Sequence, residues 1–416
     1  MKNIVNVALV ILSTLVSFVT VEIGYRFYLN FDNHEKFFAA RNREHPTFGL
    51  YDKSHWEYDK DFGFVYPPGR EITYTGIRDG KVSQCNLIQT INERGNIGPI
   101  RGSYEKADLK VLVFGDSFPA FYVAGQTFPM RMQDILSERL NLDVHVVNFG
   151  RDGYGILQMF DLAAAKISEW KPDLVVFTFI TDDLTRIRIW RTVTEINGES
   201  RVLTTGEPNP NPSIDRANDT FVLNAKANWD WCQENLKTQT ENPLIRDLEF
   251  QYRRMAREAG YAFPDPYSLK YSFLLARVLT GDAYDMGEKE VFRIPKIDYN
   301  DYQTDQQFMK KVQIVKDTGV PMAIIHLPIY PEVIENKEMI PGQHDEELWA
   351  SLERVTGQNV LPLTQYMPMP LKDAEKMNAS PTNFHPSPWG MDLYANAIAD
   401  ALMKNGYLSQ ASAGRP

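Results

Sequence analysis

Short unbroken apolar runs, recurring at helix-length intervals, constrain this chain more than any other feature. Val111 to Phe114 and Leu174 to Phe177 are apolar throughout, and Val144 to Val147 is interrupted only by His145. Val320 to Leu327 is a fourth such run, with Val360 to Leu363 as a possible fifth. Strands without polar alternation have both faces buried, as in parallel sheets covered by helices. Helical patterns separate them. Pro129 to Leu140 carries an apolar stripe at Met132, Ile135, Leu136 and Leu140. A helix over about Leu157 to Trp170 follows, and one over about Tyr302 to Asp317 ends at Gly319. This order predicts an α/β domain with a flavodoxin-like, doubly wound parallel sheet.

The first of these strands runs into Gly115-Asp116-Ser117-Phe118-Pro119. Glycine and aspartate break the strand, and proline suits the first turn of a helix. Ser117 is therefore expected on a strand-to-helix turn at the carboxyl edge of the sheet, where ligands bind in open α/β folds. A plain helix cap is the simpler role for the same serine. Gly153 and Asp182 follow the next two strands, so they converge on the same edge. His385 is expected on a loop just before a last helix that starts at Ser387-Pro388 and ends at Gly406. A hydroxyl, an imidazole and oxyanion donors are the set that acyl transfer requires. His326, ending an apolar strand, reads as a satisfied core or rim histidine.

Ile4 to Val21 contains no charge and would span about 27 Å as a helix, enough to cross the hydrocarbon core of a bilayer. Tyr25, Phe27 and Tyr28 follow, as in an interfacial aromatic belt. No small-x-small cleavage site follows the run, so an uncleaved anchor is expected over a signal peptide. The lipid bilayer is then a partner and the chain a single-pass membrane protein, its main domain extracytoplasmic, periplasmic in a bacterium. The expected organisation is residues 1–30 as anchor and 31–105 as an aromatic, turn-rich segment packing on the main domain. Residues 106–408 form the α/β domain, with a hairpin and helical insertion at about 186–300, and 409–416 a disordered tail. Within the insertion, strands flanking Asn197-Gly-Glu-Ser200 suggest a hairpin, and Pro243 to Ala259 and Tyr267 to Leu279 suggest helices. A net charge of −10 argues against nucleic acid as a partner. Two cysteines, Cys85 and Cys232, exclude a disulfide scaffold but leave one bridge open. None of the histidines is paired at metal-binding spacing, so neither metal nor cofactor is expected.

Four blocks taken together resemble the SGNH, or GDSL, hydrolase family: Gly115-Asp-Ser117, Asn148-x-Gly150-x-x-Gly153, Thr181-Asp-Asp-Leu184 and His385-Pro-Ser-x-x-Gly390. The resemblance covers roughly residues 106–185 and 300–405, and the anchor ending in Val21-Glu-Ile-Gly-Tyr-Arg26 is similar to that of membrane-tethered members. It implies Ser117 as nucleophile, His385 as general base, and the N–H groups of Ser117 and Gly153 as oxyanion donors. Two positions depart from the pattern. Asp182 stands where the family has an asparagine donor; an ionised carboxylate accepts but does not donate. Loss of one such donor costs on the order of 100- to 1,000-fold in rate, unless a buried, protonated Asp182 donates instead. Thr382 stands where the family has an aspartate, leaving Asn383 to orient the imidazole through its carbonyl. Two functions remain open: an anchored Ser-His esterase or O-acyltransferase acting on an acylated carbohydrate or other small ester, or a catalytically degenerate binding or scaffold subunit with membrane-protein partners.

Overall fold

Hydrophobic runs that alternate between two neighbouring cores produce the central sheet. In the computed structural model, strands β6 (Leu109–Gly115), β7 (Val144–Gly150), β8 (Leu174–Phe179), β12 (Met322–His326) and β13 (Val360–Pro362) lie in the order β13-β12-β8-β6-β7. Every neighbouring pair is parallel. In sequence order this is 2-1-3-4-5, so the chain reverses direction across the sheet between β6 and β8, next to Ser117. The structure describes residues 6, 9–10, 12–28, 47–51, 56–78, 81–99, 101–122, 125–196, 199–206, 220–221, 234, 237–238, 301–329, 343–368, 371, 374–380 and 383–409.

Successive residues of a strand face opposite ways, and the two cores sort accordingly. Leu112, Phe114, Val175, Phe177 and Ile324 belong to one core. It is completed by α4 (Ile156–Trp170), α5 (Gln306–Asp317) and α6 (Gln343–Thr356). Val111, Val113, Val176, Ala323 and Ile325 belong to the other, beneath α3 (Phe128–Leu140) and α7 (Pro388–Lys404). Phe177 is fully buried, stacked on Phe160 at 4.1 Å between ring centroids and on Phe114 at 5.5 Å.

Caps set the helix boundaries. Thr127 accepts from Met130 N–H ahead of α3, Asp305 from Phe308 N–H ahead of α5, and Ser387 from Gly390 N–H ahead of α7. The segment before β6 is more ordered than its turn-rich sequence suggests. Strands β1 (Thr47–Tyr51), β4 (Arg70–Arg78) and β5 (Lys81–Ile91) form an antiparallel sheet, beside a small hairpin of β2 (Glu57–Asp59) and β3 (Gly63–Val65). Trp56, Phe64, Tyr66, Ile91 and Ile97 join the first core. The expected hairpin forms as β9 (Trp190–Ile196) paired with β10 (Glu199–Thr205), and β11 (Thr220–Phe221) pairs with the other edge of β10. The two helices expected within 243–279 lie outside the described residues, as does the tail from 410 on.

The N-terminal run differs from expectation. A helix, α1, covers 12–28 and so continues past the apolar run through Glu22 and Arg26. These two pair at 2.8 Å, both almost fully buried. Among the described residues no helix is long and apolar enough to cross a membrane. Much of the first half of the expected span, including Ile4, Val5, Val7, Ala8 and Ile11, lies outside the described residues. Leu12, Leu15, Val16, Phe18 and Val21 on α1 are exposed.

Candidate active site

The turn after β6 is shaped by contacts that leave no room for a side chain at Gly115. A Cβ there would lie 2.6 Å from Pro119 Cγ and from Thr178 Oγ1. The chain then enters a four-residue helix, α2 (Ser117–Ala120), capped by Asp116, whose side chain accepts from Phe118 N–H at 2.9 Å. The cap is therefore Asp116, and Ser117 is left free for other contacts. The loop after β7 packs against this turn. Arg151 N–H donates to Gly115 O at 3.0 Å, and Asn148 Nδ2 donates to Pro119 O at 2.7 Å. Asn148 Oδ1 accepts from Gly150 N–H at 2.9 Å, so the first residue of the second block braces the loop. Gly153 lies on that loop, buried, at φ +76°, a conformation in which a side chain would be strained. Asp152 N–H donates to Tyr66 Oη at 2.9 Å, which ties the loop to the N-terminal segment.

His385 reaches Ser117 from a distant part of the chain. It sits on β15 (Asn383–Pro386), paired with β14 (Asn378–Ser380), rather than on an irregular loop. Ser387 N–H donates to Met377 O at 2.8 Å, and a Cβ at Gly390 would lie 2.3 Å from the same oxygen, so the hairpin is pressed onto the start of α7. His385 Nε2 lies 2.7 Å from Ser117 Oγ. The serine has one hydroxyl proton and a second acceptor, Asp116 Oδ2, at 3.3 Å. The shorter contact has the geometry of a strong hydrogen bond and the longer one does not, so the proton points to the imidazole. For Nε2 to accept it, the neutral ring carries its own proton on Nδ1. The Phe121 ring stacks on His385 with centroids 4.5 Å apart and planes 14° from parallel, and Phe118 lies 5.4 Å away. These rings fix the plane of the imidazole. Asn383 opens the same strand, but its proposed orienting side chain lies outside the described residues, as does Thr382.

Burial holds the His385 pKa down to about 4, with Asp152 pulling it up and Arg186 pushing it further down. The imidazole is thus neutral, and able to take a proton, throughout the physiological range.

The turn after β8 departs from expectation at Asp182. Its carboxylate is more than half exposed, with Arg186 Nη2 3.9 Å away, so it is not a buried, protonated donor. Asp183 is the buried one: its Oδ2 accepts from Ile180 N–H at 3.0 Å and its Oδ1 pairs with Arg186. Arg186 Nη1 also reaches Asp116 Oδ2 at 3.5 Å. Burial pushes the Asp116 carboxyl up and that of Asp183 up strongly, while Arg186 opposes both. Local sequence offered one clue to this cluster, the second acidic residue of Thr181-Asp-Asp-Leu184; nothing in it singled out Arg186, Tyr66 or Phe121. His326, at the end of β12, lies 3.0 Å from Thr181 Oγ1 through Nε2 and packs on Phe179 and Trp349. Burial holds its pKa near 4 as well.

Against the raised carboxyls of Asp116 and Asp183, these two histidines contribute to the acid response. Unfolded, each would titrate near 6.5; folded, each resists protonation to about pH 4. Their contribution to stability is present above 6.5 and is lost as pH falls toward 4. Imidazole carbon resonances of His385, followed by NMR, should inflect near pH 4. An inflection near 6.5 would contradict the partly buried, ring-stacked setting.

Residues 111–266 match the model of the family described as GDSL-like Lipase/Acylhydrolase, a span that includes Ser117, Gly153 and Asp182 and stops short of His385. No curated protein sequence matches the chain. Among solved structures, a lipase/acylhydrolase from Enterococcus faecalis is similar at 14% identity, over 71% of this chain and 96% of that one, with a TM-score of 0.30. A lipase from a goat rumen metagenome shows 14% identity over 70% and 97%, with a TM-score of 0.30. An α/β hydrolase from the metagenome of Lake Arreo, Spain, shows 12% identity over 74% and 99%, with a TM-score of 0.33. Over residues 111–266 the chain is thus similar to the GDSL-like lipase/acylhydrolase family, a likeness that spans the first three of the four blocks and less than half of the chain.

Proposed function

We propose that the protein is a serine esterase or O-acyltransferase, with Ser117 as nucleophile and His385 as general base. The observation that carries this is the 2.7 Å contact between Ser117 Oγ and His385 Nε2 at the carboxyl edge of the sheet. Ser117 Oγ attacks the ester carbonyl carbon while Nε2 takes its proton. The tetrahedral intermediate expels the alcohol, which leaves with that proton, and an acyl-serine remains. Water, or an acceptor hydroxyl in a transferase, is deprotonated by the same imidazole, attacks the acyl-serine and restores Ser117. Backbone N–H groups at Ser117 and Gly153 are the oxyanion donors in this scheme. An acylated carbohydrate or other small ester is the proposed substrate class.

A second reading has one observation in its favour. Asp182 offers an exposed carboxylate where the family has an asparagine donor, which suits a scaffold or binding subunit with membrane-protein partners. Turnover distinguishes the two. On a chromogenic acetate ester, Ser117→Ala and His385→Ala should each lose about 1,000-fold or more in kcat. Equal rates in wild type and Ser117→Ala would favour the scaffold.

The membrane anchor is also proposed, supported by the exposed apolar side chains of α1 and by the uncharged run from Ile4 to Val21. With this anchor the catalytic domain is placed outside the cytoplasm. Full-length protein should float with phospholipid vesicles on a density gradient, and Leu15→Asp combined with Val16→Asp should release it. Flotation unchanged by the double substitution would remove α1 as the anchor.

A further inference from the structure

We propose that Arg186 is a positioning residue for the Ser117–His385 pair, reaching the nucleophile through the carboxylate of Asp116 from the end of the neighbouring strand. The inference rests on the serine hydrolase reading and extends it to a residue outside the four blocks.

Asp116 Oδ2 lies between a guanidinium and a hydroxyl: Arg186 Nη1 is 3.5 Å away and Ser117 Oγ 3.3 Å away. Its other oxygen is committed to Phe118 N–H at 2.9 Å. Arg186 itself is only 8% exposed and cannot swing freely. Its Nη1 is shared with Asp183, whose second oxygen is held by Ile180 N–H. Its backbone is interlocked with the glycine loop, since a Cβ at Gly155 would lie 2.6 Å from Arg186 Cβ and 2.7 Å from its carbonyl oxygen. One side chain therefore bridges the turns after β6 and β8 and leans on the loop after β7.

The consequence concerns where the Ser117 proton goes. A buried carboxylate seeks donors strongly. With Arg186 in place, Asp116 Oδ2 has a cationic partner and competes weakly for the hydroxyl, which turns to His385. Without Arg186, the serine hydroxyl becomes the nearest compensating donor for Oδ2, and its proton turns away from the base. Two buried carboxylates, Asp116 and Asp183, would also face each other without a counter-charge.

Charges around the base make this separable from simple packing. Among the described residues, Asp152 and Arg186 are charged groups acting on His385, which also meets the Ser117 hydroxyl and the rings of Phe118 and Phe121. Arg186 is in turn faced by Asp116, Asp182 and Asp183, and Asp116 also feels Asp152. Arg186 opposes protonation of the imidazole; its loss lets His385 protonate at higher pH.

The test compares wild type, Arg186→Gln and Arg186→Lys in full-length protein for kcat, KM and the acid limb of the kcat/KM–pH profile, with thermal unfolding alongside. In Arg186→Gln, kcat should fall by about 10- to 100-fold, the size expected for a misaligned reacting pair, with KM changed less than about threefold and the acid limb shifted to higher pH. Arg186→Lys keeps the charge but not the fork, so its acid limb should stay with wild type while kcat falls less. Unchanged kcat in a folded Arg186→Gln, or an acid limb that stays in place, overturns the proposal. Should Arg186→Gln fail to fold, Arg186→Lys decides alone: wild-type kcat, or a shifted limb, overturns it. A wild type no faster than Ser117→Ala removes the hydrolase reading beneath it, an outcome distinct from an active wild type indifferent to Arg186.

Discussion

Burial of both faces of one parallel sheet is the constraint on which the rest of this structure depends. Val111, Val113 and Val176 serve one core, Leu112, Phe114 and Phe177 the other, and each core needs its own layer of helices. Those helices force crossover connections, and crossovers force every strand to run the same way. All the carboxyl ends then share one edge. Ser117, Gly153, the Asp182–Asp183 turn and His326 meet there because of that topology, before any chemistry is considered. His385 arrives by a different route, on a two-stranded hairpin pressed onto the start of the last helix. The contact between Ser117 and His385 closes a separation of 268 residues.

Burial of the groups behind the reacting pair sets the character of the site, with Asp116 and Asp183 fully buried and Ser117 and His385 partly so. An imidazole stacked on the Phe121 ring, with Phe118 tilted against it, stays neutral well below its usual range and so is free to accept a proton. The same low polarity makes ionised carboxylates costly, and the protein answers with a single arginine placed between Asp116 and Asp183. Among the described residues, the pairing of charges at this edge thus runs across two strand ends, through Arg186. Among the described residues, the Phe121 ring stacked on His385 limits rotation of the imidazole plane.

What was legible in the sequence follows from the same physics. Strands buried on both faces announce themselves as apolar runs, so the parallel sheet and the strand-end positions of Ser117, Gly153 and Asp182 could be read from residue order. Local caps were equally plain, as Ser387-Pro388 ahead of the last helix shows. The contacts that depend on tertiary approach were not legible. Nothing near Tyr66 signals that its hydroxyl holds the Asp152 amide, and nothing near Phe121 signals a histidine 264 positions later in the chain. The helix Gln343–Thr356 was not expected, although Leu348, Leu352 and Val355 carry helical apolar spacing. Asp182 and Asp183 are adjacent acids whose different fates, one exposed and one buried, depend on which way a short turn faces. The N-terminal run reads as a membrane span by hydropathy, whereas the described helix 12–28 carries the buried Glu22–Arg26 pair at its far end.

The central claim is that the Ser117 hydroxyl is activated by His385. Its most direct test is peptide mapping by mass spectrometry after exposure of the full-length protein to a fluorophosphonate, which reacts only with an activated serine. A phosphonyl adduct on Ser117 in wild type, absent from His385→Ala, is the expected result. No adduct on Ser117, or equal labelling of Ser117 with and without the imidazole, would contradict it.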